Sequence, residues 1–255
     1  MRSPDTPLHE ENPTNRFSKR AQSYALFRPD YPGAVYASIL EGYRPSSSFV
    51  VADLGAGTGI SSQGLASHGI KVIAVEPNAA MRTAAEENPF IQWCEGSAED
   101  TGLAAASIDI VTAFQAFHWF QADRALLEMH RILKEAGRVS LVWNLRDRGD
   151  PCTDAYSEVV NLFATIPAAE ERAGVAGPLR ESPLFTKYEL LTFTHSQELT
   201  LEGLLGRARS TSYLPSEGEA WDELAAALRE IYNRWSNGSV IQLLYRTELH
   251  RATRG

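Results

Sequence analysis

The stretch Val50-Val51-Ala52-Asp53-Leu54-Gly55-Ala56-Gly57-Thr58-Gly59 constrains this chain more than any other. An apolar run ends in an acid and three alternating glycines, and a helical pattern follows from Ile60. Such a pattern describes a buried strand turning sharply into a helix whose start faces a ligand. Glycine tolerates positive φ and lets backbone come close to a bound group, while the first N–H groups of a helix have no intrahelical acceptor.

Further strands and helices alternate after that turn. Lys71–Val75 reads as a second strand ending in Glu76, Asn78 to Glu87 as a helix carrying Met81, and Phe90–Cys94 as a third strand. Ile108–Phe114 is a fourth strand. Ala122–Leu133 is a helix with Leu126, Leu127, Met129 and Ile132 in the helical period, Gly137 is expected to end it, and Val139–Trp143 is a fifth strand. This spacing implies βαβ units, a parallel sheet and right-handed crossovers. Beyond Asn144 the alternation weakens. Cys152–Ile166 reads as helix, 168–183 as loop, Tyr188–Thr194 as strand and Leu201–Arg209 as helix. Trp221, Leu224, Leu228, Ile231, Tyr232 and Trp235 share one helical face, and Val240–Leu249 is the last strand.

Ahead of the turn, residues 1–15 are polar with three prolines and read as a flexible tail. Phe17 to Phe27 suggests a short amphipathic helix that stops near Arg28, because Pro29 and Pro32 bracket an extended Asp30-Tyr31. Gly33–Tyr43 is a second helix. Tyr24, Arg28 and Tyr31 put polar tips on an otherwise apolar segment, so 16–48 serves either as a lid over a pocket or as packing against the sheet. No linker divides the chain, so 16–255 is expected to be a single domain, with a core at 49–150 and a helical insertion at 200–237.

The chain has 24 Lys and Arg against 32 Asp and Glu, a formal charge of −8, which argues against a broad nucleic-acid-binding face. Two cysteines, Cys94 and Cys152, make no disulfide framework, and the six histidines show no metal spacing. No apolar segment is long enough to span a bilayer, and the N-terminus lacks the apolar core of a signal peptide. The expected setting is cytoplasmic, with no membrane partner and no metal.

Glycine-rich turns have many uses, but here an acid closes the second strand. Glu76 lies 21 positions after Gly55 (76 − 55), where a carboxylate can accept both hydroxyls of a ribose. Two classes of ribose-containing cofactor then compete: nicotinamide or flavin nucleotides, and S-adenosylmethionine. The dinucleotide fingerprint places its third glycine one position later, where this chain has Ile60. The glycine spacing and the acid at Asp53 favour S-adenosylmethionine.

Asp53-Leu54-Gly55-Ala56-Gly57-Thr58-Gly59 resembles the first motif of class I S-adenosylmethionine-dependent methyltransferases. Val75-Glu76-Pro77-Asn78-Ala79-Ala80-Met81 is similar to that family's ribose-binding segment, Gly96-Ser97-Ala98-Glu99 to its adenine-holding stretch, and Arg131–Gly137 to its late helix-to-strand turn. The resemblance is nearest to a small-molecule subgroup that includes trans-aconitate methyltransferase-like proteins. It is carried by Tyr24, Arg28, Pro29, Tyr31 and Pro32 and by Gln115-Ala116-Phe117-His118-Trp119-Phe120. It is close over 17–144 and thin over 185–251. Lys134-Glu135-Ala136-Gly137 departs from the family's usual Lys-Pro-Gly-Gly, at a structural turn.

The resemblance implies an α/β, Rossmann-like doubly wound sheet of seven strands with the last antiparallel, an N-terminal helical lid, and a helical insertion between the last two strands. It implies that Asp53 orients the methionine end of the cofactor above the backbone of Gly55, Ala56 and Gly57. Glu76 and Pro77 would hold the ribose, Met81 would pack near the nucleoside, and Ser97, Ala98 and Glu99 would hold adenine. Gln115 would lie beside the methionine portion, with Tyr24 and Arg28 also at the cofactor. The product would be S-adenosylhomocysteine.

Methyl transfer from a sulfonium needs an aligned nucleophile and little water, and a base only where the acceptor must lose a proton. His118, on the loop after the fourth strand, suits either a base or a contact to acceptor or cofactor, and also suits a histidine that merely holds its loop. Tyr31, Trp119, Arg146 and Tyr213 are candidates for the acceptor pocket. Arg28, Arg146, Arg207 and Arg209 could anchor an anion, and Arg28 and Arg146 have the stronger claim by position. The insertion is expected to set acceptor specificity or to mediate contacts of a homodimer, a monomer being the alternative. Asn88-Pro89-Phe90 lacks the second proline of the signature for methylating base amino groups, and Gly59–Gln63 is no nucleophile elbow. A nicotinamide-dependent oxidoreductase would want a Tyr-x-x-x-Lys pair, yet Tyr156 is followed four positions later by Val160. A cofactor-binding protein without transferase activity is the third reading.

Overall fold

Val51, Ala52, Asp53 and Leu54 are all fully buried, so the first strand, β1 (Val50–Leu54), lacks the polar alternation of a strand with one wet face. It pairs in parallel with β2 (Lys71–Val75) on one side and β4 (Ile108–Phe114) on the other. The computed structural model describes residues 27–44, 46, 48–165 and 176–255. The expected tail, the helix expected over Phe17–Phe27 except Phe27 itself, and Tyr24 lie outside those residues.

The described residues form a seven-stranded sheet in the order β3-β2-β1-β4-β5-β7-β6, where β3 is Ile91–Cys94, β5 Leu133–Arg146, β6 Phe185–Leu199 and β7 Ile241–Arg254. Only β7 runs against the others, pairing antiparallel with both β5 and β6. The helices are α1 (Gly33–Ile39), α2 (Ile60–Ala66), α3 (Ala79–Thr83), α4 (Ala122–Ile132) and α5 (Pro151–Phe163). They are followed by α6 (Gly177–Glu181), then α7 (Leu201–Arg209) and α8 (Glu219–Trp235) between β6 and β7.

Side-chain direction divides the interior. Ala52, Leu54, Val111, Leu141 and Trp143 point to the face covered by α4 and α6. Val51, Val72, Ile110 and Val142 point to the face covered by α1 and α2. A third core lies under the insertion, where Tyr156 and Val160 of α5 meet Leu204 of α7, Leu224 and Leu228 of α8, and Leu243 of β7. Each fully buried Leu, Ile or Val contributes roughly 1.5–3 kcal/mol of transfer free energy. Asp150 caps α5 by accepting the Thr153 N–H at 2.8 Å, and Thr153 Oγ1 accepts the Leu244 N–H at 2.9 Å, which ties the helix to β7.

Several boundaries differ from the sequence reading, each for a local reason. Gly137 does not end α4; the helix stops at Ile132, and Leu133 already pairs with Ile108. The register then jumps, with Ile110 opposite Arg138, and Ala136 turns the chain at φ 58°. Gly137 is needed within that turn, because a Cβ there would come 2.9 Å from the Lys134 carbonyl and from Leu133 Cδ2. Helix α1 ends at Ile39 instead of Tyr43, with Gly42 at φ 82°. Helix α3 starts one residue after Asn78 because Asn78 is its cap, its side chain accepting the Ala80 N–H at 2.9 Å, and it ends at Thr83, short of the expected Glu87. Strands β6 and β7 extend well past their expected ends because they pair with each other along nearly their whole lengths.

Candidate active site

The chain leaves β1 through three left-handed glycines, Gly55 (φ 67°), Gly57 (φ 59°) and Gly59 (φ 86°). The first is also confined, since a Cβ on Gly55 would lie 2.8 Å from Ala116 Cβ. Backbone bonds fix the turn, with the Gly55 N–H donating to the Val75 carbonyl at 2.9 Å and the Ala56 N–H to the same oxygen at 3.2 Å.

Asp53 lies beneath this turn and is not among the residues that line the cavity above it. Its carboxylate is fully buried and accepts hydroxyls from Ser61 (2.6 Å), Ser62 (2.7 Å) and Thr112 (2.8 Å). Burial raises its pKa, and the three hydroxyls oppose that rise. The acid thus bolts α2 and β4 to β1 and acts on the cavity through the shape of its floor.

Glu76 closes β2 in the cavity wall. One carboxylate oxygen accepts the Gly57 N–H at 2.9 Å and the other the Asn78 N–H at 2.9 Å. Burial raises its pKa, and those two bonds pull it back. A carboxylate offers about four acceptor positions. Two are used here, and the remainder can serve a ligand.

The cavity over the turn measures about 410 Å³, within the usual range for small-molecule sites. Its floor and near wall include Gly55, Ala56, Gly57, Glu76, Pro77 and Met81, and Ser97, Ala98 and Glu99 form one side. That side is anchored from behind, where Glu128 of α4 accepts the Thr101 N–H at 3.0 Å and pairs with Arg131 at 2.6 Å. The Arg131 hydrogen bond is the main reason the Glu128 carboxyl sits at about 2. Glu99 also turns inward to the fold, accepting the Gln121 N–H at 2.8 Å. Gln115 stands at φ 50° with its Nε2 donating to the Asn144 carbonyl at 3.1 Å.

The far wall gathers distant segments, namely Arg28, Pro29 and Tyr31, then His118 and Trp119, then Ser212 and Tyr213. The Phe27–Tyr31 stretch is strapped in place. Asn144 Nδ2 donates to the Asp30 carbonyl at 2.9 Å, Gln197 Nε2 donates to the Phe27 carbonyl at 3.0 Å, and His195 meets the Asp30 carboxylate at 3.3 Å. Asn144 is itself held by the Thr247 hydroxyl at 2.6 Å. Burial lowers the His195 pKa while Asp30 opposes that. Arg146, expected at the acceptor pocket, is not on the wall; its guanidinium lies 5.7 Å over the Tyr156 ring. Arg209 likewise stacks on Trp221, at 4.2 Å.

Sequence reading passed over Thr58, Asn78 and Asn144, all of which line the cavity, as does Ser212, a serine neighbour of Tyr213 that the sequence points to with it. Asn78 had a signal, a cap residue just before a helical run. Asn144 had a weaker one, a polar side chain closing an apolar strand. Among the described residues, no group of three or more His, Cys, Asp or Glu could hold a metal ion, and no helix is long and apolar enough to cross a membrane.

Residues 52–141 match the family model of a methyltransferase domain. The chain is 30% identical over 248 residues to an uncharacterised methyltransferase-like protein of Schizosaccharomyces pombe, covering 94% of this chain and 96% of that one. It is similar in structure to a proposed type II methyltransferase from Anaeromyxobacter dehalogenans, with a TM-score of 0.66, 24% identity, and coverage of 89% and 98% of the two chains. A Haemonchus contortus phosphoethanolamine N-methyltransferase, solved with phosphomonomethylethanolamine and S-adenosylhomocysteine, matches at a TM-score of 0.52 and 18% identity, over 100% of this chain and 60% of that one.

Proposed function

The chain belongs to the class I S-adenosylmethionine-dependent methyltransferases, and on that premise we propose that it methylates a small, anionic acceptor held against the Arg28–His118–Tyr213 wall. The observation that carries this reading is the continuity of the cavity. The floor at Gly55–Gly57 and Glu76 and the wall at Arg28, His118 and Tyr213 bound one space. Donor and acceptor can therefore meet without leaving the protein.

The residues present fit the methyl donor. Thr58 Oγ1 and Gln115 Oε1 belong to cavity-lining residues and are buried without a hydrogen-bond partner among the described residues. Buried polar atoms of this kind are costly unless a ligand or water satisfies them. Glu76 would take the ribose hydroxyls with its remaining acceptor capacity, Met81 would pack on the nucleoside, and Ser97 to Glu99 would flank the adenine. Gln115 would meet the methionine end. When bound, the sulfonium supplies an electrophilic methyl: the acceptor's lone pair forms the new bond to carbon, and the electrons of the broken carbon–sulfur bond stay on sulfur.

The chain's own part is alignment and exclusion of water. Trp119, Phe120 and Tyr31 supply apolar wall, and Arg28 supplies a fixed positive charge. The net charge of −8 favours a small-molecule acceptor over a nucleic acid. A cytoplasmic location, a monomer or homodimer, and a single domain over 16–255 belong to the same proposal. Calorimetry with S-adenosylhomocysteine tests its first half; no heat, with NAD binding in its place, would overturn it. Incubating a metabolite pool with methyl-labelled cofactor tests the second half, with a labelled small anion as the expected product.

A further inference from the structure

His118 reaches the cavity from a single helical turn, Phe117–Trp119, and its Nδ1 faces the indole of Trp143, whose Nε1 lies 3.2 Å away. Trp143 is 2% exposed and stands in the middle of the sheet, with Glu248 of β7 opposite it. The indole is held on its other side as well. The His250 ring meets it edge-on at 5.5 Å, and His250 is fixed by the Tyr188 hydroxyl at Nδ1 (2.7 Å) and by Glu248 at Nε2 (3.3 Å).

An indole N–H can only donate. The His118 Nδ1 opposite it must therefore accept, and a neutral imidazole that accepts at Nδ1 carries its proton on Nε2. We propose that Trp143 fixes His118 in the Nε2–H tautomer, so that His118 serves as a hydrogen-bond donor to the methyl acceptor and not as its base. Taking up a proton would require Nδ1, the atom already committed to a buried donor, and would leave that indole N–H facing another N–H.

The consequence narrows the acceptor, on the reading that this cavity is the methyl-transfer site. A neutral alcohol or a protonated amine needs a base, which His118 in this tautomer does not provide. A carboxylate arrives already ionised. One oxygen can accept from His118 Nε2–H while the other attacks the methyl carbon, so that an ester forms and no proton moves. Arg28 on the same wall suits the same charge. Trp143 is then a positioning residue and His118 an acceptor-binding one.

The test is the two-bond ¹H–¹⁵N correlation spectrum of the full chain labelled with ¹⁵N-histidine and saturated with S-adenosylhomocysteine, His118 being identified by its loss in His118→Gln. The expected result is a pyridine-type Nδ1 and a protonated Nε2, with Trp143→Phe shifting the ring toward the Nδ1–H form. A protonated Nδ1 in the wild-type chain, or an unchanged His118 signal in a folded Trp143→Phe, would overturn the proposal. The wild-type spectrum decides on its own should that variant not fold. Kinetics with the labelled acceptor add a second arm, because glutamine keeps a donor near Nε2 but cannot act as a base. A kcat loss in His118→Gln of roughly 10²–10⁴-fold would assign it the base, whereas a raised acceptor KM with a kcat loss under about tenfold supports the donor. Absence of S-adenosylhomocysteine binding would instead remove the methyl-transfer reading and leave the tautomer to be read from the free protein.

Discussion

The glycine turn after β1 and the wall contributed by Arg28, His118 and the insertion enclose one cavity, yet they are held by different means. At the turn, backbone does most of the work. Gly55 and Ala56 donate to Val75, Gly57 donates to Glu76, and Asp53 fastens the piece from below through three hydroxyls. At the far wall, side chains from separate segments hold one another, as Asn144 holds Asp30 and Gln197 holds Phe27. Backbone offers any ligand the same N–H and carbonyl groups, whereas a wall of side chains can change residue by residue. A shared donor and a varying acceptor would be served by that division.

Damage to the floor should spread furthest. Asp53→Ala leaves a cavity and three hydroxyls without their acceptor, and we expect a loss of about 3–5 kcal/mol in chemical denaturation together with loss of cofactor binding. A stable variant that still bound S-adenosylhomocysteine would erase the distinction between floor and wall. Glu76→Ala should weaken S-adenosylhomocysteine by about 10–100-fold in calorimetry, as charged-acceptor hydrogen bonds of about 1.5–3 kcal/mol are lost. Wild-type affinity in that variant would contradict the ribose assignment.

Gly206→Ala probes the other region. A Cβ there would lie 2.5 Å from Phe27 ring carbons, so α7 and the Phe27–Tyr31 strap must separate. Overpacking should cost about 1–3 kcal/mol. Acceptor turnover should fall while cofactor affinity holds, and a parallel loss of both would show the two walls to be coupled. The smallest effect is expected behind the Ser97–Glu99 side of the cavity. The Glu128 carboxyl is depressed to about 2 from its ordinary 4.5, so the ionised form stabilises the fold above pH 4.5, and that contribution is lost as pH falls toward 2. Glu128→Gln should therefore be less stable than wild type by about 1 kcal/mol at neutral pH, discounted because Arg131 is partly exposed, with the gap closing in acid denaturation curves.

The same contrast explains what could be read from the residues alone. The β1 turn, Glu76 and the alternation through β5 were legible because their signals are local: an apolar run, three glycines, an acid one strand later. The antiparallel β7 came with the resemblance. Nothing in the motif of Asp53 says whether its acid lies above or beneath the turn; the three hydroxyls that hold it come from α2 and β4. Following a strand places a residue such as Arg146 near a sheet edge without fixing where its side chain goes, and here the guanidinium lies over the Tyr156 ring. Trp143 carried a signal that went unused: a tryptophan in a buried strand must find an acceptor for its indole N–H.

Chain connectivity gives the strap at Phe27–Tyr31 a consequence for how the molecule comes to be made. The Gly57–Glu76 bond spans 19 residues, but Asp30 lies 114 positions before Asn144, and Phe27 lies 170 before Gln197. Contacts of long sequence separation carry a larger loop-closure entropy and tend to form late. On a ribosome, the glycine turn has its partners once β4 has emerged, while Phe27–Tyr31 must wait for β6. The Arg28 side of the cavity is thus begun among the earliest described residues and completed among the last.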